Sequence, residues 1–147
     1  MENINFILPE IFISLGIMFL LILGVFKKNG SSIVYILSIV TLLITLGLII
    51  NFPSGQEVYL FNNSYKIDQL STFMKIITII SGIFVLISSY KYTKLEKIFT
   101  IEYPILILCS ILGMMVMISA YDLIVFYIGL ELQSLSLYVL AAFNKDK

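Results

Sequence analysis

The stretch Ile33-Val34-Tyr35-Ile36-Leu37-Ser38-Ile39-Val40-Thr41-Leu42-Leu43-Ile44-Thr45-Leu46-Gly47-Leu48-Ile49-Ile50-Asn51 runs for 19 residues without a charged side chain. About 20 apolar residues in a helix cross the hydrocarbon core of a bilayer, so this segment reads as a membrane span. Working outward, four further stretches have the same character: about Ile7–Phe26 before it, then about Asp68–Tyr90, Glu102–Ala120 and Asp122–Phe143. The expected fold is an all-α integral membrane bundle of about five transmembrane helices, forming one domain over residues 1–147. The connections are short. Lys27–Ser32 joins the first two spans and Lys91–Ile101 joins the third and fourth. Phe52–Ile67 is the longest and reads as a loop, with Pro53, Ser54, Gly55 and a polar Asn62-Asn63-Ser64 patch. Span four passes to span five through Ser119–Asp122, so these two are expected to be antiparallel neighbours.

Composition supports the same class. The chain is 60% hydrophobic and 12% charged, whereas a soluble domain carries roughly a quarter charged residues. Net charge is zero and no basic patch interrupts the sequence, which points away from a nucleic-acid partner. There is no histidine and no arginine, and Cys109 is the one cysteine. Those counts exclude histidine-ligated haem, the common zinc sites and cysteine-ligated iron–sulfur clusters within this chain. Any chemistry must use carboxylates, lysines, hydroxyls and water. Met1–Glu10 carries Glu2 and Glu10 and no positive region, so it does not read as a cleavable signal peptide.

Lysines give the orientation. Lys27 and Lys28 sit in the first connection, Lys91, Lys94 and Lys97 in the third, and Lys145 and Lys147 after span five, against Lys66 alone in the second and none in the fourth. The odd connections, including the segment after span five, are expected on the cytoplasmic side, with the N-terminus outside.

An ionisable group inside a span is costly and is a functional candidate by default. Glu131 lies near the middle of span five. Helical spacing places Tyr127, Ser134 and Tyr138 on its face and Gly129, Gln133 and Ser136 on roughly the opposite one, which suits close helix packing. A carboxyl in this setting can serve as a proton relay, or it can hydrogen-bond two helices together. Lys75 is the second deep charge, on a stripe with Asp68, Thr72, Thr78 and Gly82. Snorkelling to the interface, or pairing with Asp68, is the expectation ahead of a place in a proton path. Asp122 and Glu102 sit at span ends, where carboxylates favour helix N-termini.

The stretch from Glu102 to Phe143 resembles a known family through Glu102-Tyr103-Pro104, Leu112-Gly113-Met114-Met115, Ser119-Ala120-Tyr121-Asp122-Leu123-Ile124 and, most specifically, Gly129-Leu130-Glu131-Leu132-Gln133-Ser134-Leu135-Ser136-Leu137-Tyr138-Val139-Leu140-Ala141-Ala142-Phe143. Leu8-Pro9-Glu10-Ile11-Phe12, Asp68 and Phe73-Met74-Lys75 agree further upstream. These resemble subunit N of the bacterial NADH–quinone oxidoreductase, respiratory complex I, an antiporter-like membrane subunit, over its N-terminal portion only. The resemblance implies a membrane-arm role in proton translocation coupled to NADH oxidation and quinone reduction. NADH, flavin, iron–sulfur clusters and quinone would be held by other subunits, and no cofactor by this chain. It implies other membrane subunits of complex I and the lipid bilayer as partners, and the bacterial inner membrane as location. It maps the family's fifth-helix glutamate onto Glu131, with Lys75, Tyr127, Ser134 and Asp122 as possible supporting groups. The family's partner lysines lie on later helices and have no counterpart before Lys147, so the chain reads as truncated at its C-terminus. The alternatives are a subunit of a multisubunit sodium/proton antiporter of the same fold, and a non-catalytic membrane scaffold.

Overall fold

The computed structural model describes residues 5–27, 30–51, 57–95 and 101–142. Five helices account for most of them: α1 (Leu8–Phe26), α2 (Gly30–Asn51), α3 (Gln69–Leu95), α4 (Glu102–Ser119) and α5 (Leu123–Ala142). Each is long and apolar enough to cross a membrane, and their bounds follow the five expected spans to within a few residues. The exception is the C-terminal end of the third: α3 continues five residues past Tyr90, through Lys91–Leu95.

Helix starts follow local chemistry. Pro9 stands in the first turn of α1 and Pro104 in the first turn of α4, where a missing N–H costs no helical hydrogen bond. α3 opens on a reciprocal cap. The Ser71 N–H donates to Asp68 Oδ1 at 2.8 Å, and the Asp68 N–H donates to Ser71 Oγ at 2.9 Å.

The long second connection is more than a loop. Its described part folds into an antiparallel hairpin of β1 (Val58–Leu60) and β2 (Tyr65–Ile67), paired Val58 to Ile67 and Leu60 to Tyr65. Phe61, Asn62 and Asn63 turn the chain with φ of 54°, 56° and 65°. Asparagine tolerates this left-handed region, and phenylalanine enters it at a cost. The hairpin is tied to the α4–α5 corner, because Tyr65 bridges Ala120 and the Tyr121 N–H donates to Ser64 O at 3.0 Å.

α4 is the centre of the bundle. It packs against α5, α3 and α1, while α2 joins α1 to α3. The core between them holds Tyr35, Leu42, Ile79, Leu86, Leu108, Ile111 and Met115. Buried hydroxyls in the helices return to their own backbone, as with Ser38 to Val34 O and Thr45 to Thr41 O, both at 2.7 Å. That disposes of polar groups where water is absent. The outer faces carry exposed Leu15, Phe19, Val25, Phe84 and Leu123, a surface suited to lipid or to further helices.

Candidate functional site

Two groups of ionisable side chains stand on the helices, one on the open face of α5 and one inside the bundle. The first is on α5. Gly113 and Gly129 let the backbones of α4 and α5 touch: a Cβ on Gly129 would fall 2.9 Å from Gly113 O, and one on Gly113 would fall 2.8 Å from the Gln133 N. Small residues at a helix crossing permit this approach. Gly129 and Ser136 are the buried residues of α5, as the expected packing face requires. Glu131 follows Gly129 by two residues, about 200° around the helix, and so turns away from α4. It is half-buried, as is Ser134, while Tyr127 and Tyr138 are exposed. Glu131 lies about 12 Å along the helix from Leu123. Its carboxyl makes no hydrogen bond or ion pair among the described residues, so the helix-joining role has no partner there. Asp122 precedes α5 and is exposed, and its carbonyl accepts the Phe126 N–H at 3.0 Å.

The second group joins three elements at the other side of the bundle. Lys75, six residues into α3, is 3% exposed and forms an ion pair with Glu10 in the first turn of α1, itself 6% exposed. The Tyr65 hydroxyl on β2 donates to the same Glu10 Oε1 at 2.7 Å, and Lys75 Nζ lies 3.4 Å from the Tyr65 oxygen. Burial, and then the Glu10 carboxylate beside it, push the Tyr65 phenol well above its ordinary range, so it stays a donor. Ser119, buried at the end of α4, completes the surroundings next to the Tyr65–Ala120 bridge.

This overturns two expectations for Lys75. It does not snorkel, and it does not pair with Asp68. Asp68 is occupied by Ser71 and by Lys66, whose Nζ lies 3.6 Å from Asp68 Oδ2 and 3.4 Å from Glu57 Oε1. The Ser71 backbone N–H, with help from its hydroxyl and from Lys66, holds the Asp68 carboxyl below its usual range. The physical reason is reach. Two helical turns separate Asp68 from Lys75, whereas α1 delivers Glu10 directly to the ammonium. Lys75 and Glu131 are therefore in separate groups, each with its own surroundings.

Glu10 and Tyr65 are the residues that sequence reasoning missed. The signals were present. Glu10 is a carboxylate inside an apolar run, and Tyr65-Lys66-Ile67 alternates apolar and polar with period two beside an Asn-Asn turn.

Comparison with known proteins places the whole chain. It is 67% identical over 147 residues to a protein of Pelagibacter ubique named NADH-quinone oxidoreductase subunit N, covering 100% of this chain and 31% of that protein. It is 45% identical over 141 residues to the protein of that name from Bartonella bacilliformis, covering 95% of this chain and 28% of that one. For the one from Paramagnetospirillum magneticum the identity is 40% over 140 residues, with 95% and 29% covered. The chain matches the N-terminal part of NADH-quinone oxidoreductase subunit N.

No family model matches it. The chain spans under a third of the length of the subunit N relatives it matches. Similarity to subunit N together with five apolar helices makes it a multi-pass membrane protein. The stretches that carry the resemblance to subunit N hold Glu131 in α5, Glu10 in α1 and Lys75 in α3.

Proposed function

We propose that this chain is part of a membrane-arm subunit of an NADH–quinone oxidoreductase and takes part in proton translocation coupled to NADH oxidation and quinone reduction. The observation that carries the reading is similarity to subunit N along all 147 residues, at 67% identity in the Pelagibacter protein. In this reading the complex is a translocase, and this chain carries no redox chemistry. NADH, flavin, iron–sulfur clusters and quinone belong to other subunits, in a hetero-oligomer embedded in the bacterial inner membrane. The N-terminus, the hairpin and the α4–α5 corner face outward, and the segment after α5 faces the cytoplasm.

Glu131 is the proton-carrying group. A carboxyl turned away from its one close neighbour helix, with no partner among the described residues, is poised to be set by a charge arriving on its open side. Tyr127 and Ser134 share that face and can pass a proton through their hydroxyls. Asp122, at the outer end of the same helix, is placed to exchange protons with water. Lys75 stands apart from this face, in the separate group with Glu10 and Tyr65.

The test is purification of the tagged full-length subunit from membranes in mild detergent. The proposal expects NADH-oxidising, flavin-containing activity to co-purify, and loss of the gene to abolish NADH-driven proton uptake in vesicles. Co-purification of antiporter subunits without NADH oxidation, together with sodium-dependent proton exchange, would instead establish the sodium/proton antiporter. Isolation free of either set would leave a scaffold.

A further inference from the structure

The Glu10–Tyr65–Lys75 group has an asymmetry that a purely structural ion pair does not need. Glu10 Oε1 receives both the Lys75 ammonium and the Tyr65 hydroxyl, while Oε2 is buried with no hydrogen-bond partner among the described residues. A buried ion pair repays its desolvation when the remaining lone pairs are also satisfied, and an unpaired buried acceptor is costly and calls for an explanation. Lys75 and Thr72 also line a cavity of about 20 Å³ with Phe6, Pro9 and the exposed Asn5. That is room for about one water molecule. The group thus joins an unpartnered buried acceptor, by a direct contact, to a lysine that lines a water-sized space.

We propose that Glu10 and Lys75 form a second proton-exchange site, in which a proton is taken up at Glu10 Oε2 and another is released from Lys75 Nζ into the cavity beside Thr72. The inference rests on the proton-translocation reading above. The balance is simple. Uptake of a proton from water turns the Glu10 carboxylate into a neutral carboxyl, leaving the buried ammonium uncompensated. That charge is costly in a dry site, so Lys75 gives up its proton to the cavity water and becomes a neutral amine. The pair carries zero net charge before and after, and passage of the carboxyl proton to the amine across their direct contact restores the ion pair, by which point one proton has crossed. Tyr65 keeps its phenolic proton throughout and orients Oε1. The groups facing the pair are Tyr65 from β2, Thr72 from α3 and Ser119 from α4. Asp68, on Ser71 and Lys66, lies outside it.

The decisive variant is the neutral pair Glu10→Gln with Lys75→Gln in the full-length subunit of the assembled complex. It leaves two amides that can hydrogen-bond to each other and cannot titrate. Glu131→Gln is measured beside it. The proposal expects the neutral pair to retain quinone reduction and to lose protons pumped per NADH to about the level of Glu131→Gln. A wild-type proton yield in the neutral pair, with a loss in Glu131→Gln, overturns this site alone. Wild-type yields in both overturn the proton-translocation reading and this site with it. If the neutral pair does not assemble, Tyr65→Phe decides, since it keeps both charges and removes the hydroxyl on Oε1. The proposal then expects a shifted pH profile of proton yield, and an unchanged profile overturns it.

Discussion

Lys75 is an ammonium with almost no access to water, and its free energy is governed by one carboxylate. Removing either member alone leaves the other buried and uncompensated, which costs about 3–5 kcal/mol, whereas removing both is close to neutral. Lys75→Met is therefore expected to destabilise the full-length subunit by about that amount, with Glu10→Gln in addition restoring most of it. Thermal unfolding in detergent, arranged as a double-mutant cycle, measures the coupling, and additive losses would contradict the pairing. At this scale the sequence was half legible. An intramembrane lysine announces itself, and so does Glu131. The lysine's partner does not, because Glu10 is 65 residues away and helical spacing reports only neighbours on the same helix.

The start of α3 is set by a few capping atoms. Asp68 and Ser71 close the start of α3 with two reciprocal hydrogen bonds. Asp68→Ala is expected to cost about 1 kcal/mol, and Asp68→Asn a few tenths. Hydrogen exchange in the first turn of α3 reads the difference. The pH dependence has a definite sign. The Asp68 carboxyl is held below its usual range by the Ser71 N–H, so the cap is complete above the unfolded value of about 3.9. It is lost as pH falls through the lower, folded value. Protection from exchange in that turn, relative to an unstructured peptide at the same pH, should fall at acid pH in wild type and should change little in Asp68→Ala. The five helices were legible because each apolar run is as long as a bilayer is thick. The hairpin was not, because strands of three residues such as Tyr65–Ile67 carry too short an alternation to stand out beside Asn62-Asn63-Ser64. The tight α4–α5 crossing was legible from Gly129 and Ser136 on one face of span five.

At the scale of the whole molecule, α5 is the least covered element. It leans chiefly on α4 and turns Glu131, Tyr127 and Ser134 away from it. The face opposite Gly129 was predictable from helical periodicity, but what meets it was not, since tertiary partners leave no periodic signal in the helix that awaits them. A carboxyl on an open intramembrane face is favourable only against water or a cation, which is the state a proton-switching group requires. The central claim is that Glu131 titrates during turnover. It is tested most directly by the number of protons pumped per NADH in vesicles whose assembled complex carries Glu131→Gln. The account predicts continued quinone reduction with a clear fall in protons per NADH. An unchanged proton yield per NADH would contradict it and leave Glu131 a structural residue.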